Sequence, residues 1–280
     1  MKAILRQVGY VAVENPLSGV GFALLIIFVF VAIFGPLIAP HDPLAPLSGG
    51  LQPPSAEYWL GTDQLGRDIL SRLIIATRLD LGIAFAAVIL AFIFGTGFGL
   101  LSGYYGGWWD RIIGRLTDTL MAFPLFVLAM GIVAALGNSV ANIVYATAII
   151  NLPLYTRLVR TETNVRRNAG YVEAARLAGN SDLRIMLGHI LPNILPLMAV
   201  QTSLTLGYAI LNAAGLSFIG LGVQPPTPEW GIMVSEGASS IVSNEWWVAL
   251  FPGLVLMLAV FCFNLMGDGL RDIIDPRRRT

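Results

Sequence analysis

Side chains able to do covalent or metal chemistry are few and scattered in this chain of 280 residues. His41 and His189 are its two histidines and stand far apart, Cys262 is its single cysteine, and no Cys, His, Asp and Glu cluster has metal-ligand spacing. A Gly-x-Ser-x-Gly elbow does not occur. Lys2 is the only lysine, so no phosphate-cradling loop with its Gly-Lys-Ser/Thr ending can form, and any ATP that drives this protein is hydrolysed on another chain. What remains is contact chemistry, concentrated in GYVEAARLAGNSDLRIMLGHILPN, residues 170–193. Tyr171, Ala174, Ala175 and Ala178 recur at helical spacing as a small-residue face, with Leu177 near it and Glu173 and Arg176 flanking. Gly179 is a natural helix stop, and Ser181 with Asp182 caps a second short helix that ends where Pro192 bends the chain away. Such a compact helical pair either docks a partner or lies unpartnered in a membrane interface.

The elements around this pair are apolar. Of all residues 56% are hydrophobic and only 12% charged, far from the soluble average, and the charge-free runs are long enough to cross a bilayer. Six spans are predicted: Gly19 to Pro40, Leu81 to Gly103, Leu120 to Leu136, Ser139 to Tyr155, Leu195 to Phe218 and Val248 to Leu265. The third and fourth come from one charge-free run cut at the turn-forming pair Gly137 and Asn138. The first run ends without an A-x-A-like site and reads as a span, not a signal peptide. With the N-terminus inside, fourteen of the seventeen basic residues are cytoplasmic and only Arg67, Arg72 and Arg78 are outside, as the positive-inside rule requires. The chain thus divides into a cytoplasmic tail (1–18), a membrane domain (19–270) and a basic cytoplasmic tail (271–280). The membrane domain carries outer segments at 40–80 and 222–247 and the helical pair in a cytoplasmic loop at 161–190.

The first outer segment contains a second charged group, Asp63, Arg67, Asp68 and Arg72. Thr62 or Asp63 is expected to cap a short helix whose Ile69, Leu70, Leu73 and Ile74 lie along the membrane face before the second span begins. The four charges either pair at i,i+4 on a solvated surface or line a docking element. Trp230, Trp246 and Trp247 outside, like Trp108 and Trp109 inside, suit the headgroup zone. Within the spans, Gly95, Gly99, Gly103 and Gly107 form a ridge for close helix contact. No charge lies mid-span, which argues against proton- or sodium-driven transport. Only mild polar groups remain as candidates for a pathway, among them Asn151, Gln201, Thr205 and Asn212.

EAARLAGNSDLRIMLGHILP resembles the E-A-A…G…I-x-L-P signature of binding-protein-dependent ABC transporter permeases. Glu173, Ala174, Ala175, Gly179, Leu191 and Pro192 fall on its positions, and His189 replaces the usual Ile. That replacement, together with WLGTDQLGRDILSR (59–72) and GLSFIGLGVQPPTPEWG (215–231), is similar to the C-type permease of the oligopeptide, dipeptide and nickel branch. The resemblance implies an all-α integral membrane protein with the type I ABC importer permease fold, working beside a homologous second permease. It also implies one or two kinds of ATPase subunit holding ATP and Mg, and a periplasmic or lipid-anchored solute-binding protein. In that family the loop inserts a coupling helix into the ATPase. Glu173 to Gly179 would make this contact, with Arg176 facing an acidic group. The implied solute is a di- or oligopeptide, with glutathione, nickel complexes or another small solute as alternatives. The implied location is a bacterial cytoplasmic membrane, and no nucleic acid, catalytic residue or cofactor is implied for this chain. A standalone channel or secondary carrier would leave the docking helix without a task, and a scaffold would not explain the proline-broken, polar-flecked spans.

Overall fold

A computed structural model describes residues 16–46 and 49–274, so most of both expected tails lies outside the described residues. Among the described residues the regular structure is helical: α1 (Pro16–Ile38), α2 (Ile69–Tyr105), α3 (Gly107–Ala122), α4 (Leu125–Leu136), α5 (Val140–Arg166), α6 (Gly170–Leu177), α7 (Asp182–Ile185), α8 (Leu191–Phe218), α9 (Trp230–Ala238) and α10 (Trp247–Ile274). Four stretches are long and apolar enough to cross a membrane, namely α1, α2, the run Asp182–Phe218 and α10, or five if the bent pair α3–α4 counts as one. At 27 residues α5 has the length, but it carries Arg157, Arg160, Glu162 and Arg166 in its second half. The fold is therefore all-α and multi-pass.

α2 departs from expectation at its outer end. Its cap is Asp68, whose carboxylate accepts the Ser71 N–H at 2.9 Å, and not Thr62 or Asp63. From there it runs 37 residues without a break, roughly 55 Å at 1.5 Å per residue. No separate helix lies on the membrane face, because Ile69, Leu73 and Ala76 are buried against the protein. At the inner end Gly106 and Gly107, both at positive φ, turn the chain into α3.

The expected third span is bent by 93° between α3 and α4. Pro124 disfavours helical geometry at the residue before it, and Phe123 is accordingly extended (φ −86°, ψ 144°). α4 alone, with 12 residues, spans about 18 Å and is too short for the hydrocarbon. Gly137 ends α4 at φ +92°, and the Ser139 hydroxyl caps α5, so the chain does divide at the turn expected there.

Packing centres on α2 against α5. A Cβ on Gly95, Gly99 or Gly103 would lie within 2.6 Å of Tyr155 Cβ, Val159 Cβ or the Arg160 carbonyl, so the partner of the glycine ridge is in this chain. Gly107 is not part of it and meets nothing within 4 Å. Gly99→Ala should therefore overpack the seam and cost about 1–3 kcal/mol. Gly97→Ala on the open face of the same helix should be neutral or slightly stabilising. Thermal unfolding of the two variants in the same detergent checks this, and equal midpoints would contradict a close seam.

Candidate functional site

The loop at 161–190, expected in the cytoplasm, is built as a stiff corner. α6 ends in paired capping bonds: Gly179 N–H donates to the Arg176 carbonyl at 3.0 Å and Asn180 N–H to that of Ala175 at 3.2 Å. Gly179 holds φ +80°, the left-handed turn that this arrangement needs. Ser181 then caps α7, its hydroxyl accepting the Arg184 N–H at 3.4 Å. Val172 and Ala175 are buried, so Ala175 belongs to the inward face and not to the outward small-residue face. Glu173, Ala174, Arg176, Ala178 and Gly179 are exposed, and Leu177 is 90% exposed.

Past this corner the chain does not bend at Pro192. Asp182–Phe218 is one continuous helical run, opened by a π turn at Met186–Ile190 in which Leu191 N–H donates to the Met186 carbonyl. The wider turn accommodates the proline, which has no N–H of its own to donate. Leu191 packs half-buried against the core and Pro192 is exposed.

Tyr104, which no local pattern marks, reaches the loop from the end of α2. Its hydroxyl donates to Asp182 Oδ1 at 2.7 Å, and Arg176 Nη2 donates to the same hydroxyl at 3.4 Å. Arg176 thus has a partner within its own chain.

In the first of the expected outer segments, the four charges are buried and not solvated. Arg67 is 4% and Arg72 1% exposed. Asp63 accepts from Arg67 Nε at 2.7 Å and from Arg72 Nη1, while both guanidiniums reach Glu236 of α9, at 3.3 and 2.9 Å. Asp68 caps α2 and lies 3.5 Å from His41 Nδ1. Gln64 Nε2 adds a bond to the Glu236 carbonyl at 3.1 Å. The cluster is a rivet that joins the segment 40–80 to the segment 222–247. Two of the tryptophans expected in the headgroup zone are likewise buried: Trp230 is fully enclosed and Trp247 donates to the Thr62 carbonyl at 3.2 Å. Trp246, Trp108 and Trp109 are exposed as expected.

Most hydrogen bonds of the mild polar groups of the spans run along their own helices. Asn151 Nδ2 bonds the Thr147 carbonyl one turn back in α5, and Gln201 and Thr205 bond each other along α8. Asn212 is half-buried one to two turns further on. The bond that does join these two helices is Tyr155 hydroxyl to Thr202 at 3.1 Å.

Residues 95–280 match the binding-protein-dependent transport system inner membrane component, and residues 10–54 match the N-terminal TM domain of oligopeptide transport permease C. The chain belongs to the family of binding-protein-dependent transport system inner membrane components. It is similar to the dipeptide transport system permease protein of Alkalihalophilus pseudofirmus, with 46% identity covering 95% of this chain and 88% of that one. It is also similar to the di/tripeptide transport system permease protein of Pseudomonas aeruginosa, with 47% identity over 95% of this chain and 89% of that one. The glutathione transport system permease protein of Pectobacterium atrosepticum is 47% identical over 81% of this chain and 75% of its own length. A chain of the MetNI methionine ABC transporter shares the fold, with a TM-score of 0.58 at 16% identity, covering 73% of this chain and 97% of that one. Membership in a transport family makes this inner membrane component a permease subunit and not an enzyme.

One further buried group of the inner membrane component was not foreseen from its sequence. Asp80, at the outer boundary of the charge-free part of α2, faces Glu229, the cap of α9. Asp80 Oδ2 accepts the Trp230 N–H at 3.2 Å and Glu229 Oε2 accepts that of Ile232 at 2.8 Å. Glu229 Oε1 is buried without a donor. Burial pushes the Glu229 carboxyl above its usual range. A raised value means that the stabilisation is complete at acid pH and is lost as pH rises through the value in the folded protein. Glu229→Gln keeps the cap acceptor and supplies a permanent donor to Asp80. Its thermal midpoint should therefore fall less than that of the parent protein as pH rises from the acid range upward. Parallel pH profiles for the two would argue against a raised Glu229 carboxyl.

Proposed function

We propose that this chain is one of two homologous permease subunits of an ATP-driven importer of di- or oligopeptides in a bacterial cytoplasmic membrane, docking a separate ATPase through α6. The observation that carries the reading is the build of the cytoplasmic corner. A protruding leucine is ordinary on a surface, but Leu177 stands beside exposed Glu173 and Ala174 on a short helix whose opposite face is buried and whose end is fixed by two capping bonds. Such a helix is preformed for insertion in a partner groove and loses little conformational entropy on docking. In this reading Glu173, Ala174, Arg176, Leu177 and Gly179 are the ATPase contact, Ala175 seats the helix, and Leu191 and Pro192 shape the run behind it. ATP and Mg bind the ATPase subunits, and a solute-binding protein delivers substrate to the outer face.

Counting α1, α2, α3–α4, α5, the run Asp182–Phe218 and α10 once each gives six spans with both termini cytoplasmic. Peptides are favoured as solute because the relatives named for dipeptides and di/tripeptides align over nearly the whole chain. The weakly polar spans, with Asn151, Gln201, Thr205 and Asn212, suit amide groups better than a fixed charge. The relative named for glutathione makes that solute the second reading.

Reconstitution with the second permease, the ATPases and the binding protein in proteoliposomes tests this directly. Labelled dipeptide should accumulate in an ATP-dependent way and glutathione should not. The reverse order would replace the solute, and no ATP-dependent uptake of either would remove the importer reading. Leu177→Asp should lower ATPase co-purification at least tenfold, the loss that a buried apolar contact of roughly 1.4 kcal/mol or more implies, with membrane abundance unchanged. Topology is checked with single cysteines in a Cys262→Ser background. One at Val242, 93% exposed, should react with an impermeant reagent in intact cells, and one at Asn168 only after lysis.

A further inference from the structure

Tyr104 stands in the last turn of α2, where several contacts hold that helix end to the cytoplasmic loop. Its ring is buried at 8% exposure. Its hydroxyl touches both helices of the loop, one on each side of the Gly179 corner: Asp182 in the first turn of α7 at 2.7 Å and Arg176 in the last turn of α6 at 3.4 Å. The order of donors is Arg176 to the hydroxyl and the hydroxyl to the carboxylate, a charged chain in which each bond polarises the next. Arg167, just beyond α5, donates to the Gly103 and Tyr104 carbonyls at 3.3 and 3.4 Å, so the backbone of the same turn is held as well. Immediately afterwards Gly106 and Gly107 turn the chain at positive φ into α3, whose Asp110 accepts from the Ser102 hydroxyl of α2 at 3.1 Å.

At its other end α2 bears Arg72, paired with Glu236 of α9, and Asp80, which accepts the Trp230 N–H. No proline interrupts the 37 residues between the two ends. We infer that Tyr104 is a positioning residue for transport: its hydroxyl fastens the ATPase-docking corner to α2, so that displacement of α6 moves the helix that holds the outer segments. The inference rests on the docking reading of α6. Apolar contacts of Val172, Ala175, Ile185 and Met186 also join the loop to the core, but they are non-directional and tolerate sliding. The hydroxyl bond is what sets the direction of the displacement.

The test uses the complete transporter in proteoliposomes, measuring solute imported and ATP hydrolysed in the same preparation. Tyr104→Phe keeps the buried ring and removes one oxygen. It should leave ATPase co-purification and membrane abundance at the parental level and lower solute imported per ATP by roughly three- to tenfold, the range expected for one side-chain hydrogen bond. Asp182→Asn still offers a carbonyl oxygen to the hydroxyl and should retain most of the coupling, whereas Asp182→Ala should lose as much as Tyr104→Phe. The double variant Tyr104→Phe/Asp182→Ala should be no worse than the worse of the two single ones, since each already removes the bond between the hydroxyl and Asp182. Parental transport per ATP in Tyr104→Phe, or additive losses in the double variant, would overturn the inference while leaving the importer reading intact. Loss of ATPase co-purification in Tyr104→Phe would also overturn it, by showing a role in folding the loop. A parental complex that imports nothing with ATP would remove the importer reading and this inference together.

Discussion

The seam between α2 and α5 is the constraint on which the rest of the structure depends. Three glycines one turn apart leave no room for a Cβ at Gly95, Gly99 or Gly103, so the backbones of the two helices nearly touch. In a bilayer, association draws on packing and not on expulsion of water, and close backbone approach is the strongest form of it. Because the seam fixes α2 along its inner half, Tyr104 and Arg167 meet at one place and the loop acquires a firm seat. The seam also makes α2 the natural reference for the outer half, where the two extramembrane segments are assembled on it.

That outer assembly uses buried charge, an expensive material. Removing Arg67, Arg72 and Asp63 from water costs several kcal/mol per ion, and Coulomb attraction repays it only where geometry is good and the other lone pairs and protons are bonded. Here Asp63 also accepts the N–H groups of Leu65 and Arg67 and Glu236 lies against both guanidiniums, although Arg72 Nε and Nη2 make no hydrogen bond, so part of the cost stands. A hydrophobic core could supply equal stability but would not fix which turn of α9 meets which turn of α2. The ions impose one register between segments that are more than 160 residues apart in sequence. The neighbouring Asp80 and Glu229 pair adds a second fixed point and exposes no charge.

Much of this was legible from the chain alone, for identifiable reasons. The Gly137 turn, the Gly179 stop and the Ser181 cap are local features, each written in a few adjacent residues, and all three appear where the sequence places them, whereas the six expected apolar spans appear as four, or five with the bent pair. The failures share a cause. Asp63, Arg67 and Arg72 look solvated when read at i,i+4, because Glu236 and the covering Trp247 are far away in sequence. Pro192 reads as a bend because a π turn that absorbs it has no sequence mark. Pro124 had the opposite fate, breaking the expected third span where no such turn relieves it. Tyr104 and Asp80 were passed over for the same reason as the charged cluster, since nothing within ten residues of either contains its partner.

Magnitudes decide how the work of the loop is divided among its contacts. Inverting a two-state equilibrium from 1:99 to 99:1 requires about 5.5 kcal/mol, whereas one net side-chain hydrogen bond supplies on the order of 1 kcal/mol. The Tyr104 hydroxyl therefore cannot by itself drive α2 between two positions. Val172, Ile185, Met186 and Ile190, each buried in the same cluster, offer roughly 1.5–3 kcal/mol apiece for burial against exposure. These are the contacts that can carry the load. What they lack is an angular preference, because apolar surfaces slide at little cost so long as they stay covered. A hydrogen bond between a fixed phenol and a carboxylate capped into a helix start does have that preference. The loop combines a strong contact that does not care about direction with a weak one that does, and in the proposed importer the second would turn a push into a defined motion.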